Sequence, residues 1–246
     1  MLPWKTAWVT GASTGIGREI ALKLASGGVK VAVSARSADK LDILADSNVN
    51  MVAVPVDVTS RDDVAVAVQR ILGEFGALDL AVLNAGVWQP MHASAYDAGA
   101  ATRSMAVNYL GIAHALESLI PHMIGRREGQ LALIASVAGY RGLPKAAAYA
   151  PSKAAVISLA EVLRLELARH GVTVSLINPG FVETPMTKVN NFPMPFILTP
   201  EDAAERIIKG LTKGNFEIAF PWQLVTVLKM LRAMPNAFYL RIAGRL

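Results

Sequence analysis

Six short apolar runs separated by helical stretches constrain this chain more than any other feature of it. They are KTAWVT (5–10), KVAVSA (30–35), MVAVPVDV (51–58), LDLAVLNAG (78–86), GQLALIAS (129–136) and VTVSLINPG (172–180). Between them, residues 16–28, 39–47, 61–76, 97–124 and 150–169 have helical spacing. The apolar residues in the runs do not alternate with polar ones. A strand with one wet face alternates, and a strand covered on both faces does not. The runs therefore predict a parallel sheet with helices on both faces. Their β-α-β order predicts an α/β, doubly wound, Rossmann-like fold. FEIAFP (216–221) reads as a last strand.

No linker, low-complexity tract or long repeat interrupts the pattern, so a single domain is expected. Residues 1–220 would form its dinucleotide-binding and catalytic body, with a substrate lid over about 185–213. Residues 221–246 would be an amphipathic, basic helical extension of the same domain. A composition of 53% hydrophobic and 17% charged residues suits a large core. The absence of cysteine excludes disulfides and thiolate chemistry. His92, His114, His122 and His170 lack ligand spacing, so no metal site is expected. The opening MLPWKTAWVTG is neither a signal peptide nor a spanning segment, and a cytoplasmic protein is expected.

The net charge is +5, and the tail carries most of it through Lys229, Arg232, Arg241 and Arg245, with no acid after Pro221. The rest of the chain is close to neutral, which argues against a nucleic-acid partner.

In doubly wound sheets ligands bind beyond the carboxyl ends of the strands. The turns there read TGASTGIG, SARS, PVDVTS, LNAG, IASVAG and INPGFVET, all small or polar. The first places glycines at 11, 15 and 17 between a strand and a helix. Glycine lets a phosphate approach the backbone, and the helix start offers free N–H groups and partial positive charge. At the end of the second strand an acid would favour NAD and a base NADP. Ala35 and then Arg36 stand there, flanked by Ser34 and Ser37 as hydroxyl donors, which favours NADP(H). Asp39 reads as a helix-start residue.

AYAPSKAA (148–155) sets Tyr149 and Lys153 four apart, on one helix face. Proton transfer to an alkoxide needs a positioned acid, and a nearby cation lowers a phenol's pKa of about 10. The spacing alone allows either such a pair or a helix-start tyrosine packed on the sheet beside a surface lysine.

Together, G-x3-G-x-G, NAG at 84–86, Ser136 and Y-x3-K at 149–153 resemble the short-chain dehydrogenase/reductase family over about residues 5–186. That resemblance implies hydride transfer between NADP(H) and a carbonyl or secondary alcohol. Tyr149 would be the general acid/base. Lys153 would lower the phenol's pKa and hold the nicotinamide ribose, and Ser136 would bind the substrate oxygen. Asn108 would open its helix and hold a water that relays protons. Gly11, Ser13, Thr14, Gly15, Ile16 and Gly17 would face the diphosphate and ribose. Asp57 and Val58 would meet the adenine, and Asn84, Ala85 and Gly86 would line the cofactor. Pro179, Gly180, Val182 and Thr184 would flank the nicotinamide. Thr14 departs from a common NADP pattern that has a base in this turn, so the NADP preference rests on Arg36. A homodimer or homotetramer is also implied.

The substrate positions are Trp88, Ser136, Val137, Tyr140, Tyr149, Phe181 and Met186, with Val87 and Ala138 beside them. With Phe192, Met194 and Phe196 in the lid they point to an apolar carbonyl or alcohol as partner. Two alternatives stay open: a 3-oxoacyl thioester reductase and a non-catalytic NADPH-binding sensor. The tail, two basic apolar segments hinged at Pro235, resembles that of hydroxysteroid-dehydrogenase-type members. It reads as a peripheral membrane contact, a dimer contact or a cap over the substrate pocket.

Overall fold

The computed structural model describes residues 2–243. Arg245, counted above among the tail's charges, lies outside the described residues. Seven strands form one parallel sheet in the order β3-β2-β1-β4-β5-β6-β7. They are β1 (Thr6–Thr10), β2 (Lys30–Ser34), β3 (Met51–Ala53), β4 (Leu80–Leu83), β5 (Gly129–Ile134), β6 (Val172–Pro179) and β7 (Glu217–Phe220). The register pairs Trp8 with Ala32 on one side and Ala81 on the other.

Successive strand residues point to opposite layers, and both layers are apolar. Trp8, Leu131 and Leu133 pack on α3 (Arg61–Phe75), α5 (Gly111–Arg126) and α6 (Tyr149–Leu167). Val9, Ala132 and Ile134 pack on α1 (Gly15–Ser26), α2 (Ala38–Asp46) and α7 (Pro200–Thr212). This double burial is why the runs do not alternate.

Three elements differ from the sequence expectation. The run 51–58 is a strand only over Met51–Ala53, although Val54 and Val56 still donate to Val33 and Ala35. Pro55 has no N–H to give, which suits this edge of the sheet. The helical region 97–124 divides into α4 (Ala98–Met105), a π-helical turn at Ala106–Leu110 and α5. Residues 200–212 of the expected lid are α7, whose Ala203, Ala204 and Ile207 are fully buried. Only the irregular stretch before it lies over a cavity.

The tail forms α8 (Trp222–Ala233) and α9 (Asn236–Ala243) on either side of Pro235. Among the described residues no helix is long and apolar enough to cross a membrane.

Candidate active site

The strand order reverses between β1 and β4, and there the sheet opens into two adjoining cavities of about 250 Å³ each. Ile16, Asn84, Gly86, Thr184 and Met186 line both.

The first cavity is the more polar of the two. Gly11, Ser13, Thr14, Gly15 and Ile16 line it from the β1 turn, Arg36 and Ser37 from the β2 turn, and Asp57, Val58 and Ala85 from the next two. Thr14 caps α1 without spending its side chain on the helix, and the first turn holds no acid. The N–H groups of the helix start are thus left to an anion. Gly17 does not line the cavity. A Cβ there would sit 2.4 Å from the Gly11 oxygen and 2.5 Å from Asn84 Nδ2, so its role is close packing of helix on turn. The Asn84 amide fixes that turn by donating to the carbonyls of Thr10 (3.0 Å) and Gly11 (3.2 Å).

Arg36 is exposed at the cavity rim. The Thr59 N–H and hydroxyl hold the Asp57 carboxyl below its ordinary range, and the Arg36 charge adds to this. Ser34 is not a donor to any ligand. Its hydroxyl is fully buried, accepts from Trp8 Nε1 at 2.8 Å and donates to the Val54 carbonyl at 2.6 Å. The donor set of helix N–H groups, Ser13, Ser37 and Arg36 fits a dinucleotide phosphate.

The second cavity is apolar. Trp88, Val137, Leu143, Phe181, Phe192 and Leu228 are among its walls, with Ser136, Tyr149 and Lys153 at its polar end. Pro179, Gly180 and Val182 line the same cavity. Tyr149 opens α6 and Lys153 stands one turn on, its Nζ 5.6 Å from the Tyr149 ring centre. Ser136 follows β5; its hydroxyl accepts from Ala138 N–H and donates to the Pro179 carbonyl at 3.4 Å. Gly139 brings this turn onto α6, since a Cβ there would lie 2.8 Å from the Lys153 carbonyl carbon. No pattern in the sequence singled that glycine out.

The electrostatics differ from the expectation for Tyr149. Lys153 does not pull the phenol below its ordinary value. Burial pushes Tyr149 up to about 12, with the Ser136 side chain pulling weakly the other way. Burial also pushes Lys153 down to about 8. The Lys153 ammonium is 3% exposed and donates to the Ile134 carbonyl at 2.8 Å. Desolvation sets the direction of both shifts here.

Asn108 sits in the π-helical turn, fully buried. Its Oδ1 accepts from Val87 N–H at 2.8 Å, and its Nδ2 donates to the Val87 carbonyl and to Ser152 Oγ. The amide therefore braces the turn carrying Trp88 against the helix carrying Lys153. Trp88 meets the Tyr149 ring edge-on at 5.0 Å and donates its indole N–H to Asn190 Oδ1 at 2.8 Å. Asn190 was not foreseen, because the contact joins positions 102 apart.

Tyr140 does not line this cavity, contrary to its assignment as a substrate residue. It is 6% exposed, and its hydroxyl donates to Glu217 at 2.5 Å. Of the lid residues named above, Phe192 lines the cavity and packs edge-on against Phe181, whereas Phe196 is exposed. The inner face of the tail also contributes, through Leu224 and Leu228.

A family model described as short chain dehydrogenase matches residues 5–193. A protein from Myxococcus xanthus named as an uncharacterized oxidoreductase is 39% identical over 249 residues, covering 100% of this chain and 98% of its own. Two solved structures are similar in fold. A short-chain dehydrogenase/reductase from Burkholderia phymatum in complex with NAD has a TM-score of 0.84 and 27% identity, covering 92% of each chain. A 3-ketoacyl-(acyl-carrier-protein) reductase from Brucella melitensis complexed with NADH has a TM-score of 0.81 and 29% identity, covering 87% of this chain and 96% of its own.

Proposed function

The chain belongs to the short-chain dehydrogenase family and is an oxidoreductase dependent on a nicotinamide dinucleotide, and we propose that it reduces an apolar ketone or aldehyde with NADPH. The observation that carries this reading is the placement of Ser136, Tyr149 and Lys153 at the polar end of an apolar chamber that opens into the phosphate-ready cavity. When bound, the nicotinamide supplies or accepts the hydride.

The chain's own groups do the rest. Ser136 Oγ and Tyr149 Oη hold the substrate oxygen. With its pKa raised to about 12, Tyr149 keeps its proton at neutral pH and is set to donate it to the developing alkoxide. Lys153, although depressed to about 8, still carries its charge at pH 7 and stabilises negative charge forming at the phenol oxygen. Asn108 keeps the Trp88 turn and α6 in register. The apolar walls exclude water and select an uncharged substrate.

A carrier-bound 3-oxoacyl thioester is the second reading, favoured by the likeness to the Brucella enzyme. The enclosing wall of Leu224 and Leu228 suits a free apolar molecule better. Assays of both substrate types under the same conditions separate the two readings.

Selection of NADPH rests on Arg36 and Ser37 at the rim, with no acid at position 35. A charge-assisted bond to the 2′-phosphate is worth roughly 1.5–3 kcal/mol. Arg36→Glu is therefore expected to shift the NADPH/NADH ratio of kcat/KM by about 10²-fold toward NADH. A ratio unchanged by that substitution removes Arg36 as the selector.

The outer face of the tail is read as a peripheral contact with anionic lipid. Trp222, Met230, Phe238 and Leu240 are each more than 60% exposed, and the described tail has bases but no acid. Binding to phosphatidylserine vesicles that weakens with salt is expected, and Trp222→Glu with Leu240→Glu should abolish it. Absence of binding at low salt overturns this assignment.

A further inference from the structure

The last carbonyls of a helix have no partners within it, and the helix dipole leaves that end negative. At the end of α8 the guanidinium of Arg141, some ninety positions away in sequence, fills this role. Its Nη1 donates to the carbonyls of Leu231 (2.5 Å), Arg232 (3.0 Å) and Met234 (2.6 Å), and its Nη2 to Asn236 Oδ1 (2.6 Å). The same group lies 3.9 Å over the ring of Tyr239 in α9, whose hydroxyl donates to the Gly142 carbonyl. Next to it, Tyr140 and Lys229 both bond Glu217 of β7. One short segment after Ser136 thus pins both tail helices.

That segment and α8 are two walls of one chamber. Leu143 and Pro144 stand on the first wall, and Leu224 and Leu228 on the second. The walls meet through Arg141. Pro235, beyond the end of α8, has no N–H with which to continue the helix; Met234 N–H closes the last turn onto the Leu231 carbonyl at 3.3 Å, and Arg141 adds the side-chain cap there.

We propose that Arg141 is a specificity-determining positioning residue, which holds α8 as a wall of the apolar chamber and so sets the size and shape of the substrate it admits. This rests on the reading of that chamber as the substrate site. Lysine keeps the charge but cannot present a planar fork to several acceptors. Arg141→Lys should therefore fall between wild type and Arg141→Ala.

Two readouts on the full chain test the proposal. The first needs no substrate. Trypsin cuts within α8 only when the helix opens locally, and Arg141→Ala should be cut after Lys229 and Arg232 at least about tenfold faster than wild type. Its main thermal transition, set by the sheet and its two helical layers, should stay in place. Equal cleavage rates overturn the clamp.

The second readout is a graded series of apolar ketones with NADPH. Arg141→Ala should lose about tenfold in kcat/KM for ketones long enough to reach Leu224 and Leu228, mostly through KM, and less than about twofold for the smallest. An equal loss for all sizes overturns the specificity role. Absence of NADPH-dependent turnover by wild type across the series overturns the specificity role together with the reading beneath it, while the cleavage rates still decide the clamp.

Discussion

Tyr149→Phe is expected to lower NADPH-dependent turnover by about 10³-fold, the usual range for loss of a general acid. Nucleotide affinity should change by less than about threefold, because the ring stays against Trp88 and the phosphate-facing groups lie in the other cavity. The fold should not suffer. The lost hydroxyl meets the Ser136 side chain, and the ring keeps its edge-on contact with Trp88. Fluorescence titration with NADPH and steady-state rates, on the same preparations, separate the two effects. Turnover within about tenfold of wild type would remove Tyr149 from the chemistry.

Lys153→Met should abolish most turnover and yet leave the protein as stable as wild type or more so. Lys153 falls from 10.5 to about 8 on burial, which costs the folded state roughly 3 kcal/mol at neutral pH. Methionine has similar length and no charge to desolvate. It leaves the Ile134 carbonyl without its donor, a loss of about 1–3 kcal/mol. The balance is near neutral or favourable, and it marks a group kept for function at the expense of stability. Urea unfolding at pH 7 checks it, and a loss above about 2 kcal/mol contradicts it.

The same depression fixes the sign of a pH effect. Between pH 8 and 10.5 the unfolded chain binds more protons at this lysine than the folded one, so its contribution to stability rises with pH through that window. Tyr149, raised from 10.0 to about 12, acts oppositely and only above pH 10. Wild type should therefore gain stability from pH 8 toward 10 relative to Lys153→Met. Parallel pH profiles of the two proteins would contradict the assignment.

What the sequence conveyed was local. The double-sided burial of the strands, the glycine turn and the Tyr149–Lys153 spacing each follow from a few neighbouring residues. The π-helical break at Asn108 lies in a helical stretch where asparagine fits poorly. What it did not convey depends on distant partners. Tyr140 turns from the cavity because Glu217, 77 positions away, accepts its hydroxyl. Ser34 is spent on Trp8 and Val54. Residues 200–212 have the periodicity of any amphipathic helix, which does not say whether that helix covers a site or packs on α1. Spacing along a helix gives the cation's place but not the depth of burial, which is what raises the Tyr149 pKa.

The central claim is hydride transfer from the nicotinamide to an apolar carbonyl, with the proton from Tyr149. The most direct measurement uses NADPH deuterated at the transferring position, an apolar ketone panel, and mass spectrometry of the alcohols formed. The account predicts one deuterium on the carbinol carbon with wild type and almost no labelled alcohol with Tyr149→Phe. NADPH that binds but transfers no deuterium to any carbonyl in the panel would contradict it.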